Sequence, residues 1–132
     1  MVELMSVLPV LRVTDLDQSV EFYGQVLGFE VVWRAPIDAG GENCLVRSGG
    51  VDLLLSTAAD LGDAPAFTGT LYFSASGTAE LFDAIKESVD IVWPLSQMAD
   101  GTSEFGLRDP DGYVLAVTEI PAAAVPPPPP AS

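Results

Sequence analysis

Histidine is absent from all 132 residues, so imidazole supplies neither a metal ligand nor a general base. No serine or cysteine has the base a catalytic triad needs, and nucleophilic catalysis of that kind is excluded. Carboxylates are plentiful, 19 Asp and Glu against 5 Lys and Arg, yet no pair has a spacing that argues for acid–base work. The single cysteine, Cys44, cannot close an intramolecular disulfide and reads as a small buried hydrophobe. What remains for a site is aromatic. Trp33, Tyr72, Trp93 and Phe105 all fall in strand-like runs, and such rings give flat ligands a large contact area. Tyr72 alternates with Thr70 and shares its face, which makes it the leading candidate. Trp33 and Trp93 either stack on a planar ligand or pack beneath a helix, two readings of equal weight. Phe22, Tyr23, Leu81 and Phe82 fall on helical segments and are assigned to helix–sheet packing. Met98, in the loop 96–102, offers an adaptable thioether to cover a ligand.

The charge balance narrows the partners. A net charge of −14 repels phosphate backbones, so neither nucleic acid nor an anionic membrane is an expected partner. A cationic ligand would be drawn to such a surface, although the acidity serves solubility equally well. Of the cations, Arg12 alternates with Leu11 and Val13 and is expected to face away from the site, in an ordinary surface ion pair. No apolar run reaches the roughly 18 residues of a membrane-spanning helix. The sequence opens Met1, Val2, Glu3, without a basic segment before an apolar stretch, so no signal peptide is expected and the reducing cytoplasm is the expected compartment.

The elements that must position these side chains follow from periodicity and turn chemistry. Hydrophobic residues make up 48% and charged residues 18%, enough for the core of a single domain. LPVLRV (8–13) is a strand. Thr14 or Asp15 then caps a helix whose apolar residues Leu16, Val20, Tyr23 and Leu27 recur at helical spacing, and Gly28 suits its left-handed end. FEVVW (29–33) is a strand, and 44–47 and 51–56 form a hairpin around Gly49-Gly50. The pattern then restarts. TLYFSA (70–75) is a strand, 76–87 a helix with Leu81, Ile85 and Ser88 on one side, and VDIVW (89–93) a strand closed by Pro94. The last pair, 104–108 and 113–119, is joined by the turn Asp109-Pro110-Asp111-Gly112. The order is therefore βαβββ twice, in modules of about 6–56 and 69–120. Trp33 and Trp93 match at an offset of 60 residues, as do Leu11 with Leu71 and Val13 with Phe73. The expected fold is α+β, a domain spanning 1–120 in which two duplicated curved sheets surround a cleft, a common place for ligands. The segment PAAAVPPPPPAS (121–132) lacks the amide protons of ordered structure and reads as a solvated polyproline tail outside the fold.

Two stretches carry a family resemblance. VLPVLRVTDLDQSVEFYGQVLGFEVVW (7–33) resembles the opening, and EFGLRDPDGYVLAVTE (104–119) the closing signature, of the vicinal oxygen chelate superfamily of glyoxalases, bleomycin-resistance proteins and extradiol dioxygenases. The resemblance implies the paired-module fold; a shared fold does not by itself imply chemistry. In members with metal chemistry, four strands place His, Glu or Gln ligands toward the cleft. The corresponding positions here are Leu8, Leu54, Thr70 and Ala116, two leucines, an alanine and one weakly ligating hydroxyl. Asp52 is the one carboxylate near enough to suggest a hard cation, and the apolar first and fourth positions argue against a chelating wall. Apolar replacement resembles the drug-binding branch, whose members sequester compounds such as bleomycin or mitomycin unchanged, commonly as two-fold dimers with exchanged N-terminal strands. Pro9 stands near that exchange point, or else merely blunts an edge strand.

The sequence thus supports a metal-independent binding protein without cofactor, a homodimer holding a small aromatic molecule, for which a cation is one option, through Trp33, Leu54, Thr70, Tyr72, Trp93, Met98, Phe105 and Ala116. The alternatives from the same resemblance are a lyase, isomerase or dioxygenase, which would need a metal, and a non-catalytic interaction module.

Overall fold

In the computed structural model the described residues are 2, 5–37, 40–62, 64–67, 69–97 and 102–119. Met98 and the proline-rich tail, both singled out above, lie outside them. The element order is β1 (Val10–Arg12), α1 (Leu16–Leu27), β2 (Glu30–Pro36), β3 (Glu42–Ser48), β4 (Val51–Ser56), a 3-10 turn (Ala59–Leu61), β5 (Thr70–Ala75), α2 (Thr78–Ile85), β6 (Asp90–Gln97), β7 (Ser103–Arg108) and β8 (Val114–Glu119). This is βαβββ repeated, in two mixed four-stranded sheets ordered β1-β4-β3-β2 and β5-β8-β7-β6. In each sheet the first strand runs parallel to the last and the remaining pairs are antiparallel. The chain divides into two compact units, Met1–Thr68 with Pro110–Gly112, and Gly69–Asp109 with Tyr113–Ser132.

In the first unit α1 starts where Asp15, in extended conformation, accepts a hydrogen bond from the Gln18 amide at 3.1 Å. It ends at Gly28, whose φ of 75° is the left-handed region that glycine adopts without strain. Strand alternation sends Leu11, Cys44, Val46, Leu53 and Leu55 to the buried helix side of the sheet. Tyr23 from α1 is buried there, edge-on to Phe22 and Phe29 with ring centroids 5.4 and 5.7 Å apart. Arg34 ties β2 to α1 and β3 through Asp17 at 2.7 Å and Glu42 at 3.1 Å. Asp111, in the turn that belongs to this unit, accepts from the Thr14 amide and the Ser19 hydroxyl at 3.1 and 3.4 Å.

In the second unit Phe105, Leu107, Leu115 and Val117 are the buried side of the sheet. Phe82 of α2 meets Phe105 at a centroid distance of 5.2 Å. The helix has no side-chain cap of its own, because Gly77 precedes it. A carboxylate from the last strand serves instead: Glu119 accepts from the amides of Thr78 at 2.7 Å and Gly77 at 3.3 Å. These bonds, that from Thr78 first, hold the Glu119 carboxyl below the ordinary glutamate range, with desolvation acting weakly against them.

Several sequence expectations need adjusting. The second helix spans only Thr78–Ile85, since Gly77 at φ 78° cannot join it and Ser88 closes a turn by donating to the Ile85 carbonyl. Strand β6 runs through Pro94 rather than ending before it. As an edge strand it does not need every amide, and the pairing is irregular between Trp93 and Ser96, where Pro94 falls. Strand β1 is shorter than expected, with Pro9 just ahead of it using its carbonyl to accept from the Leu54 amide at 3.0 Å. The repeat offset also drifts. Leu11 is register-equivalent to Phe73 rather than Leu71, because the stretch from the first strand to the tryptophan is two residues shorter in the second unit (Phe73 to Trp93) than in the first (Leu11 to Trp33).

Candidate functional site

Each sheet has one face packed on its helix and one face free of it, and the free faces carry most of the candidate side chains. On the first sheet the register places Val10, Leu54, Leu45 and Trp33 side by side across all four strands. On the second it places Tyr72, Ala116, Gly106 and Trp93 in the equivalent row. Both tryptophans owe their side of the sheet to a bulge. The pairing shifts between Val31 and Trp33, and again between Ile91 and Trp93. Val31 and Ile91 therefore share the side of their buried partners Val46 and Leu107, while each tryptophan two residues later turns to the helix-free face. Uninterrupted alternation would have sent both indoles under the helices. Trp33 is 43% exposed and Tyr72 61% exposed, unusual for rings of this size.

The two rows differ at the third strand. Leu45 stands beside Trp33, whereas Gly106 stands beside Trp93. A Cβ built on Gly106 would lie 2.6 Å from three carbons of the Trp93 ring, so the indole lies flat against the bare backbone. The indole Nε1 is buried with no hydrogen-bond partner among the described residues. Packing on Gly106, not hydrogen bonding, is what seats Trp93.

Polar rows flank the apolar ones. In the first sheet Asp52 and Arg47 form a two-pronged pair at 2.7 and 3.1 Å, one row from Leu54 and Leu45. In the second sheet Arg108 reaches Asp90 at 3.6 Å in the equivalent row. On the other side of the second apolar row lie Ser74, Thr118 and Glu104. Arg12 shares the face of Val10 instead of turning away, and it donates to the Gly62 carbonyl at 3.1 Å and to the carbonyl of Val13. The alternation with buried Leu11 and Val13 was read correctly; the face it leads to was not. A separate cavity of about 390 Å³ lies between the end of α1 and the β3–β4 turn, walled by Glu30, Val31, Val32 and Arg47, and it has no aromatic lining.

A family model described as Glyoxalase/Bleomycin resistance protein/Dioxygenase superfamily matches residues 6–117. The chain belongs to that superfamily. No protein of curated function matches it in sequence. Solved structures resemble it at low identity, and so in fold alone. The bleomycin-binding protein of Streptomyces verticillus, in complex with copper(II)-bleomycin, is 23% identical over 92% of this chain and 100% of that one, with a TM-score of 0.64. TioX from Micromonospora sp. ML1 is 21% identical over 87% and 98%, with a TM-score of 0.71. Lactoylglutathione lyase from Agrobacterium tumefaciens is 24% identical over 87% and 92%, with a TM-score of 0.64. The superfamily therefore spans binding proteins and enzymes.

The described residues at the positions matched to the superfamily's metal ligands do not fit a metal. Leu54 and Ala116 sit in the apolar rows and offer only carbon. Leu8 precedes β1 and is likewise without a donor atom, and Thr70 contributes one hydroxyl at the exposed end of β5. Asp52 is already neutralised by Arg47, whose hydrogen bonds hold its carboxyl below the ordinary aspartate range. Among the described residues no group of three His, Cys, Asp or Glu side chains could hold a metal ion.

Of the sequence candidates, the structure brings Tyr72, Trp93 and Ala116 into one row, with Thr70 one row along on the same face, and places Trp33 and Leu54 together in the other; Ala116 is itself fully buried and presents no surface to a ligand. Phe105 is a correction. It faces α2, fully buried against Phe82, because it alternates with Glu104 and Gly106. Sequence reasoning missed Val10, Leu45 and Gly106, although the first two were legible as the helix-free positions of alternating strands. The role of Gly106 depends on which residue stands opposite it, and no local signal gives that.

Proposed function

We propose that this chain is a metal-independent binding protein that sequesters a small aromatic molecule, of the kind that confers resistance to a natural product or antibiotic. The observation that carries this reading is the row with an aromatic ring on each helix-free face, in which Leu54 and Ala116, at the positions the sequence resemblance matches to metal ligands, offer only carbon. Exposed Trp33 and Tyr72 and the seated Trp93 supply flat contact area without a reactive group beside them. The resemblance in fold to a bleomycin-binding protein supports the same reading. We place the protein in the cytoplasm as a homodimer. The buried free thiol of Cys44 suits a reducing compartment, and the exposed side chains of Val2, Met5 and Val7 suit an arm laid on a second copy.

Titration calorimetry against a panel of flat aromatic natural products, with chelator-treated protein, tests the proposal. Micromolar or tighter binding that survives chelation is the expected result. A stoichiometric transition metal in tag-free purified protein, with turnover of a lyase or dioxygenase substrate, would overturn it in favour of an enzyme.

A further inference from the structure

The chain has 5 basic side chains, and each of them already has a partner. Arg12 holds the Gly62 carbonyl, Arg34 holds Asp17 and Glu42, Arg47 holds Asp52, Lys86 holds Asp83 and Arg108 holds Asp90. An anionic ligand on Arg34, Arg47, Lys86 or Arg108 would have to break an ion pair to be neutralised. The acids are distributed differently. On the helix-free face of the second sheet Asp90 is committed to Arg108, while nothing among the described residues pairs with the carboxylate of Glu104. Glu119 is turned to the other side, where it caps α2.

Glu104 is placed with some specificity. It alternates with buried Phe105, so it shares the face of Gly106, two residues along β7. Two residues of extended strand span about 7 Å. That is the separation between its carboxylate's attachment point and the glycine on which the Trp93 ring lies. Its neighbours across the strands are Thr118 and Ser96, hydroxyls that leave room and add acceptors. The half-buried position reduces the water screening that weakens fully exposed pairs.

We propose that Glu104 is the charge-selecting residue of this face: the ligand is a planar aromatic carrying a protonated amine or amidinium, its ring against the Trp93 indole and its cation on the Glu104 carboxylate. The seated indole also attracts a cation over its ring face, so ring and charge are selected together. This rests on the reading of the helix-free face as a ligand surface.

Proflavine, a flat monocation, and acridone, its neutral tricyclic counterpart, separate the two ideas. Wild-type protein binds proflavine the more tightly, and Glu104→Gln weakens proflavine about tenfold while leaving acridone unchanged. Glu80→Gln, on the exposed surface of α2, removes the same unit of charge elsewhere and leaves both affinities unchanged. If both substitutions weaken proflavine equally, bulk charge is responsible and the assignment of Glu104 is overturned. Equal binding of the two compounds, indifferent to Glu104→Gln, overturns it as well while the small-molecule reading stands. If wild-type protein binds neither compound, the small-molecule reading itself fails.

Discussion

Replacing Gly106 with alanine should expose how Trp93 is held. The added Cβ would sit 2.6 Å from Cδ2, Cε3 and Cζ3 of the indole, against the roughly 3.5–4.0 Å at which carbons rest. The ring must therefore lift by about 1 Å, or β6 must move with it. Overpacking of this size costs about 1–3 kcal/mol. The backbone of Gly106 is not in the left-handed region, so alanine regains about 0.5–1 kcal/mol of chain entropy. The net expectation is a loss of about 1–2 kcal/mol, read as a lower urea midpoint in circular dichroism. In a Trp93→Ala background the clash is gone and the same substitution should stabilise by about 0.5–1 kcal/mol. That change of sign is the decisive measurement. With Trp33→Phe as a further background, emission reports Trp93 alone and should shift to the red as the indole is lifted toward water. An equal effect of Gly106→Ala with and without Trp93 would refute the seating of the ring on the glycine.

Three further outcomes follow from the same geometry. Phe105→Ala should cost about 3–5 kcal/mol in urea unfolding, because it empties the core beneath Phe82, yet leave the affinity of the folded protein for an aromatic ligand unchanged. Lost affinity without lost stability would return Phe105 to the binding face. Glu119 is bound more tightly as a carboxylate in the folded state than in the unfolded one, so its contribution is present above its unfolded pKa of about 4.5 and disappears as the pH falls through its lower folded value. Acid titration of the thermal midpoint should show a shallower decline below about pH 4.5 for Glu119→Gln than for wild type. Burial raises the Cys44 thiol above its ordinary value, so a thiol reagent should label it at the rate of unfolding rather than at the rate of an exposed cysteine.

Much of the architecture could be read from the chain because its signals are local. Asp15 and Gly28 bracket the first helix, Gly49-Gly50 and the Asp109–Gly112 turn mark hairpins, and alternation sorts Leu53 from Leu54 and Leu115 from Ala116. The candidate site was legible only in part. Ring size alone leaves core and surface equally weighted for Trp33 and Trp93, and the bulge that turns each ring out has no local sequence signal. Phe105 was chosen for its ring, although its neighbours Glu104 and Gly106 already indicated the opposite face. The long-range cap of α2 by Glu119 joins residues about forty positions apart, and nothing near Gly77 announces it.

The duplication also explains why one face could specialise. Equivalent rows begin with the same architecture, a tryptophan turned out by a bulge and a small or apolar residue on the last strand. Leucine at position 45 stands in the space beside Trp33, and that residue stays 43% exposed. Glycine at position 106 opens the same space, and Trp93 sinks into it until its Nε1 loses contact with water. Among the described residues the indole N–H has no partner, and a buried N–H left so costs about 1–3 kcal/mol. That cost is sustained only if the flat seat serves something the exposed tryptophan does not. A fixed aromatic plane loses little entropy when a flat molecule lands on it, whereas a ring free to turn must be ordered first. The ligand surface proposed for the second unit is thus preformed, with Glu104 as the proposed charge beside it.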